Sequence, residues 1–343
     1  MLKGKSLLEF TKEVERRESV KKDYLADTRM MKFIGTPELL KVDVESAGSF
    51  GITETAHQDV SEKTKIPKAY YDRMRVEAPE LWAENANHWI HSQPQRRMVR
   101  VLDGNMRAML SDSYRPIDNY DVFSASANAL QVSPQVEFQG LELTERKMYI
   151  QAVFPKIEGE VKKGDVVQAG IVISNSEIGQ GAVKIEPMIY RLVCMNGMIT
   201  SQAMRKYHIG SQFSGGADVQ GLFSESTKSL SDRVFLRQIT DVVRGACSNE
   251  LFEGNVAKLK VAAGVMIAVT PQKTIEITKK RLSLTDDEGD QLLENLIKGE
   301  DLSLYGLANA ITSLAHTSNN YDRSVDFERE GGSALSWKAD LSA

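Results

Sequence analysis

The chain has 343 residues, 41% of them hydrophobic and 26% charged, so it can bury a large core and wholesale disorder is excluded. The formal net charge is −4, which argues against a strongly basic nucleic-acid-binding protein. Of the 43 basic and 47 acidic residues, 5 and 12 lie from Arg281 onward, which leaves 38 basic and 35 acidic residues before that point. The acidic excess therefore belongs to the C-terminal end.

Neither end of the chain nor its apolar runs indicate a membrane protein. The first residues lack an apolar block of signal-peptide length, and the longest apolar stretch, Val261–Val269, is too short to cross a bilayer. The two cysteines, Cys194 and Cys247, form no CxxC pair. We therefore expect a cytoplasmic protein with reduced thiols, no membrane contact, no bound metal and no cofactor.

The first 95 residues predict a mixed segment that contains a helical hairpin. Thr53 can cap a helix, and the break at Lys65-Ile66-Pro67 separates that helix from the next. In chain order we expect a helix over Leu7–Asp27, strands over Met30–Ile34 and Leu39–Val44, and helices beginning near Thr53, Pro67 and Pro79.

Residues 96–215 predict a β-rich core. Asp103-Gly104-Asn105 suits a tight turn between two strands, because these residue types tolerate positive φ. A helix is expected over Asp118–Leu130, and further strands over Val136–Leu143, Lys147–Phe154, Val166–Ile173 and Ala182–Val193. This order predicts a curved antiparallel sheet with a helix on one face.

Residues 216–343 predict a helical C-terminal region. Leu222–Leu251 has apolar residues at helical spacing, Thr270-Pro271 and Thr285 are helix starts, and Gly299 is a helix end. The whole chain is therefore expected to be an α+β protein in three parts: 1–95, 96–215 and 216–343.

Four stretches carry a family resemblance. Two are the most specific, Arg107–Asp121 and Gly170–Gly197, and the others are Thr53–Tyr71 and Leu307–Arg323. Together they resemble the phage/plasmid-like protein family, a domain of unknown function found on prokaryotic mobile elements. The resemblance implies a role in mobile-element DNA biology, and it implies no catalytic residues.

The loop Ser174–Gly181 is the first candidate site. Its glycines and amides could grip a phosphate, with Asn175 and Ser176 as the better candidates because Glu177 would repel an anion. The same residues are equally consistent with a wide hairpin loop whose glycines only set its geometry.

A second candidate site combines cationic with aromatic side chains. Proteins that bind single-stranded DNA need cations to contact phosphates and aromatic rings on which bases stack. A solvated hairpin with tyrosines packed beneath it would contain the same residue types. The candidate residues are Arg96, Arg97, Arg100, Arg107, Tyr114, Arg115 and Tyr120.

Three weaker candidates remain. The helix pair from Thr53 to Met74 has the length of a helix-turn-helix, with Lys63, Lys65, Lys68, Arg73 and Arg75 toward DNA. A metal-dependent nuclease would draw on Asp112, Asp118, Asp121, Glu177 and Glu186. His88 and His91 have a ligand-like spacing, but no zinc set completes it, and Cys194 has no evident base, so we expect structural roles for all three.

The leading hypothesis is a non-enzymatic, homo-oligomeric protein that binds single-stranded DNA in recombination or replication. The helix-on-sheet order is similar to the core of single-strand annealing recombinases, which is an analogy of fold. The second hypothesis is a self-assembling protein-interaction module that never touches DNA, and the third is a helix-turn-helix regulator that binds duplex DNA.

Overall fold

The computed structural model describes residues 5–131, 135–200, 204–206, 225–246 and 248–337, and it confirms the α+β class. The helices are α1 (Leu7–Val20), α2 (Glu54–Thr64), α3 (Lys68–Glu77), α4 (Pro79–Ser92), α5 (Asn119–Gln131), α6 (Glu225–Ala246), α7 (Asn249–Ala263), α8 (Pro271–Leu282), α9 (Asp286–Lys298), α10 (Leu304–Ser313) and α11 (Tyr321–Ala334). The strands are β1 (Lys22–Asp27), β2 (Met31–Thr36), β3 (Leu39–Val44), β4 (Gly48–Ile52), β5 (Arg96–Leu102), β6 (Asn105–Ser111), β7 (Glu137–Leu143), β8 (Met148–Glu160), β9 (Val166–Asn175), β10 (Val183–Arg191), β11 (Asn196–Ile199) and β12 (Met204–Lys206). The predicted thiol Cys247 lies outside the described residues.

The first sheet has the strand order β1-β5-β6-β4-β3-β2, and all its pairs are antiparallel except β4 with β6. Helices α2, α3 and α4 cover one face of it. Trp82 on α4 is fully buried there, with its ring in edge contact with Phe33 on β2 and with His57 and Tyr71 on the neighbouring helices. This aromatic group, which includes His57, anchors the three helices to the sheet.

The outer strand of this sheet, β2, is covered by side chains of α4. Asn87 Oδ1 accepts from the backbone N–H of Phe33 at 2.7 Å, and Asn87 Nδ2 donates to the carbonyl of Phe33 at 2.8 Å. One turn later, His91 Nε2 lies 2.8 Å from the carbonyl oxygen of Met31. Side-chain bonds thus take the place of a further strand, and they agree with the structural role expected for His91.

The second sheet is a meander in the order β11-β10-β9-β8-β7 that curls into a half-barrel, and β12 pairs with β10. One face carries Ile150, Ile171 and Ile185 and packs in a single core with α5, α6 and α7. The other face carries a smaller apolar cluster that includes Val153 and Val172 and packs against Val325 of α11. A helix on one face of a curved antiparallel sheet is the arrangement that the sequence predicts.

One part of the predicted arrangement is wrong. The β5–β6 hairpin was expected in the curved sheet, but it lies in the middle of the first sheet, between β1 and β4. The expected boundary at residue 96 therefore falls inside the first sheet. The hairpin turn itself is as predicted, with positive φ at Asp103 and Gly104. Turn residues report the hairpin but carry no information about which distant strands will flank it.

Helix ends follow the local signals closely. Thr53 accepts from the backbone N–H of Ala56, and Thr285 forms a capping box with Glu288 at the start of α9. The stretch expected as one helix up to Leu251 is divided into α6 and α7, and Ser248 caps the second of them. None of the described helices combines the length and the apolar composition that a bilayer-spanning segment requires.

Candidate functional site

The predicted binding hairpin and the predicted phosphate loop meet in the structure, but they meet inside it. Arg100 on β5 is 0% exposed. Its Nε and Nη2 donate to the two carboxylate oxygens of Asp23, each at 2.9 Å, and Nη2 also donates to Asp118 Oδ1 at 2.7 Å. Its Nη1 donates to the carbonyl of Glu177 at 2.7 Å. Every nitrogen of this guanidinium has a partner, so the prediction that Arg100 contacts phosphate is wrong.

Arg107 on β6 is buried beside it and forms an ion pair with Glu177 Oε2. The other carboxylate oxygen, Oε1, accepts from the backbone N–H of Asn119, the first residue of α5, at 2.7 Å. A negative charge at that position complements the positive end of the helix dipole. Glu177 thus joins the loop, the hairpin and α5, and Arg107 as a phosphate contact is wrong as well.

These groups form one continuous network of ion pairs and hydrogen bonds. Asp118 also pairs with Lys21, which follows α1. Burial alone would raise the pKa of the Asp118 carboxyl, but Arg100 and Lys21 outweigh it and hold that pKa below its usual value. Lys21 also pairs with Glu18 on α1. Apart from that pair, three cations face three carboxylates, and we call these six residues the junction: Lys21, Asp23, Arg100, Arg107, Asp118 and Glu177.

The two loop residues expected to hold phosphate are also internal. Asn175 is fully buried and its Nδ2 donates to the carbonyl of Ile117 and to Asn119 Oδ1, both at 2.9 Å. Ser176 is fully buried too, and its Oγ donates to the carbonyl of Arg146 at 2.8 Å. The phosphate role of Asn175 and Ser176 is therefore wrong, because both side chains bond to other segments of the chain inside the protein.

The remaining predicted residues differ in accessibility. The Tyr114 hydroxyl donates to the carbonyl of Ser176 at 3.5 Å, and burial raises the pKa of Tyr114. Arg115 is partly exposed and pairs with Asp232 Oδ2 at 2.7 Å, while Tyr120 is 39% exposed. Arg96 is exposed at the start of β5. Its neighbour Arg97 is partly buried and donates to Gln95. Of the nine predicted residues, Arg96, Arg97, Arg115 and Tyr120 thus retain a route to a nucleic acid.

The two helices of the helix-turn-helix candidate are present as α2 and α3, but three of their cationic side chains form ion pairs with carboxylates. Lys68 pairs with Asp72 at 2.5 Å, Arg73 with Glu77 at 2.7 Å, and Arg75 with Glu54 at 2.8 Å. Exposed pairs of this kind contribute only about 0–1 kcal/mol, so they are exchangeable, unlike the junction.

Three of the carboxylates considered for a nuclease, Asp118, Glu177 and Glu186, each form an ion pair with a cationic side chain. Glu186 forms a two-point pair with Arg329, with Nε–Oε1 at 3.0 Å and Nη2–Oε2 at 2.7 Å, while Asp118 and Glu177 belong to the junction. Across the described ranges, no three His, Cys, Asp or Glu side chains are grouped as a metal ion would require. Cys194 Sγ lies 3.0 Å from Arg191 Nη1 and is half-buried.

A groove that sequence reasoning missed lies between α7 and α11, against β10 and β11. It encloses about 880 Å³, within the range typical of small-molecule sites. We call it the α7–α11 groove. Its apolar wall consists of Ile199, Ala257, Val261, Ala262, Val265, Leu304 and Leu335, and its polar groups are Lys184, Glu186, Thr200, Lys258, Arg329, Ser333 and Ser336, with Gly332 between them.

An apolar residue of the groove wall reaches the protein surface, since Val261 on α7 is 70% exposed. The Thr200 hydroxyl is buried in the wall with no hydrogen-bond partner in the described structure. No sequence signal could have found the site, because its described residues come from two strands, three helices and the segments around them.

Comparison with known proteins gives one match. Residues 108–220 match the family model of a domain of unknown function, DUF932. The chain has no significant similarity to a curated protein or to a solved structure. The DUF932 segment contains β6 from Ala108 onward, α5 and β7 to β12, so it includes part of the junction. The α7–α11 groove takes its β10 and β11 wall from this segment and its α7 and α11 wall from outside it.

Proposed function

We propose that this chain is a non-enzymatic binding protein that takes its ligand in the α7–α11 groove. The observation that carries the proposal is the groove itself, an 880 Å³ concavity whose described lining combines seven apolar with seven polar residues. Pockets of this size and composition are the usual form of a ligand site. The proposal differs from all three sequence hypotheses, the second of which was a self-assembling protein-interaction module without DNA binding.

Single-stranded DNA binding is a second proposal, in the phage or plasmid setting that the family resemblance implies. It rests on Arg96, Arg97, Arg115 and Tyr120, because Arg100 and Arg107 are held in the junction. Separating Arg100 from two carboxylates would leave buried charges unpaired, at a cost of about 3–5 kcal/mol. The groove is favoured because four of the residues predicted to contact DNA, Arg100, Arg107, Asn175 and Ser176, are buried and cannot contribute without such a rearrangement.

Filling the groove tests the leading proposal. Ala257 is exposed on α7 and lines the groove, so Ala257→Trp places an indole inside it. We expect the variant to lose binding of the neutral dye Nile red, measured by its fluorescence. Lys260→Trp on the same helix is the matched control, because Lys260 is exposed and does not line the groove. Equal dye binding by both variants and the unsubstituted protein would contradict the proposal.

A parallel titration tests the second proposal. Labelled oligo(dT) is titrated at low salt against the protein and against Arg96→Ala/Arg97→Ala, with fluorescence anisotropy as the readout. Binding that the double substitution abolishes supports a single-strand surface at the start of β5. An oligonucleotide that does not bind, or that binds equally to both proteins, removes this proposal.

A further inference from the structure

We infer that the α7–α11 groove binds an amphiphile with a carboxylate head and an unbranched apolar tail. This inference rests on the proposed function and names the chemical class of its ligand. It follows from the balance of charge in the groove, from one unsatisfied hydroxyl and from the apolar wall.

The charge of the groove favours an anion. Among the described residues, three cationic side chains line it, Lys184, Lys258 and Arg329, against one carboxylate, that of Glu186. The two-point pair between Arg329 and Glu186 leaves that carboxylate compensated. The described part of the lining therefore has a net positive charge, which an anionic head group would neutralise.

Lys258 is the cation best placed to receive that head group. Its Nζ lies 3.4 Å from Asn255 Oδ1, which is a neutral partner. No carboxylate of the described residues forms an ion pair with it, in contrast to Arg329. An ammonium group at the exposed end of a groove can pair with an incoming carboxylate without first breaking an internal pair.

The Thr200 hydroxyl supplies a second polar contact. It is buried in the groove wall, and within the described part of the chain it has no hydrogen-bond partner, whereas buried polar groups in folded proteins are nearly always bonded. A hydroxyl can donate to a carboxylate oxygen. A ligand oxygen would satisfy a group that the described residues leave unsatisfied.

The apolar wall of the groove is the reason for expecting an alkyl tail on the ligand. Val261 and Val265 lie on the side of α7 and the segment after it, and Leu304 and Leu335 complete the wall. These side chains offer no hydrogen bonds along their length, so an alkyl chain fits them better than a sugar or a nucleobase does. Each methylene that leaves water there should tighten binding by roughly fourfold.

Isothermal titration of the full chain with four probes below their micellar concentrations tests the inference. The probes are octanoate, decanoate, decanol and decylamine. We expect decanoate to bind about 15-fold more tightly than octanoate, because it carries two more methylenes. We also expect decanoate to bind at least tenfold more tightly than decanol, and decylamine to bind weakest.

Charge reversal at the mouth identifies the head-group contact. Lys258→Glu should weaken decanoate at least tenfold and leave decanol unchanged, whereas the control Lys260→Glu should alter neither. If decanol binds as well as decanoate, or if Lys258→Glu leaves decanoate unaffected, the ligand class is wrong while the groove stands as a binding site. If none of the four probes binds and Nile red does not bind either, the proposed function itself fails.

Discussion

At the scale of single residues, the most unusual environment in the molecule is that of Glu328 on α11. Its carboxyl is buried against the second sheet, where Gln151 Nε2 donates to Oε2 at 2.5 Å. Burial raises the pKa of Glu328 from 4.5 to about 8. The side chain is therefore protonated in the folded protein at neutral pH, whereas it is ionised in the unfolded chain.

This difference predicts a pH dependence of stability with a definite sign. Because the folded state holds the proton up to about pH 8, its contribution to stability is complete below about pH 4.5 and is lost as the pH rises to about 8. Relative to Glu328→Gln, the unfolding free energy of the unsubstituted protein should fall by up to about 1.4 kcal/mol per pH unit in this window. Urea denaturation at several pH values measures both proteins.

His57 makes this comparison with the variant necessary. Burial lowers the pKa of His57 to about 3, so its contribution to stability rises with pH up to its unfolded value near 6.5. That trend opposes the trend of Glu328, but it is common to both proteins and cancels in their difference. A difference between the two proteins that does not change with pH would contradict the assignment.

At the scale of elements, two close contacts decide how helices sit on sheets. The first is the cover that α4 gives to the edge of β2. Asn87→Ala removes both side-chain bonds to Phe33 and leaves its backbone groups without partners. We expect a loss of about 1–3 kcal/mol of unfolding free energy and faster hydrogen exchange at the Phe33 amide.

The same helix offers a matched control for that prediction. Asn85 bonds to its own helix, with Nδ2 donating to the carbonyl of Leu81 at 2.9 Å. Asn85→Ala should leave the exchange rate of the Phe33 amide unchanged. If Asn87→Ala also leaves it unchanged, the edge of β2 is not protected in the way described here.

The second contact is the approach of α11 to β11. A Cβ at Gly332 would lie 1.7 Å from the carbonyl oxygen of Ile199, whereas one at Gly254 on α7 meets nothing within 4 Å. Gly332→Ala should therefore destabilise the protein by about 1–3 kcal/mol, because α11 must shift. Gly254→Ala should stabilise it by up to about 1 kcal/mol, because alanine is the better helix former. Thermal unfolding of both variants checks the opposite signs, and a neutral Gly332→Ala would contradict the close packing.

At the scale of the whole molecule, the junction connects the two sheets. Arg100 belongs to the first sheet, Glu177 to the loop between β9 and β10, and Asp118 to the segment before α5. Breaking such buried pairs costs about 3–5 kcal/mol. We therefore expect Arg100→Ala to uncouple the unfolding of the two sheets.

Tryptophan positions make the uncoupling measurable. Trp82 and Trp89 lie on α4, and Trp337 is buried in the core of the second sheet. In a Trp337→Phe background, fluorescence reports on the first sheet alone, and far-UV circular dichroism reports on the whole chain. The two transitions should coincide with Arg100 intact and separate in Arg100→Ala. Arg16→Ala, which breaks an exposed pair with Asp103, should keep them together, and coincident transitions in both variants would contradict the role of the junction.

The features that could be predicted from the sequence are those that local interactions determine. The Thr53 cap, the Asp103-Gly104 turn and the start of α5 each depend on a few neighbouring residues, and the structure confirms them. The burial of Arg100 could not be predicted, because its partner Asp23 lies 77 residues away and only the β1–β5 pairing brings the two together. The α7–α11 groove was missed for the same reason.

The parallel pairing of β4 with β6 has a consequence for synthesis on the ribosome. Strand β1 is synthesised first and its partner β5 comes much later. Strands β2, β3 and β4 follow β1 directly and can pair with one another as a meander. The two groups are joined only through β5 and β6, which occupy the centre of that sheet. A nascent chain that ends before Arg96 therefore leaves the pairing edges of both β1 and β4 without a neighbour, and the sheet closes only when the β5–β6 hairpin inserts between them.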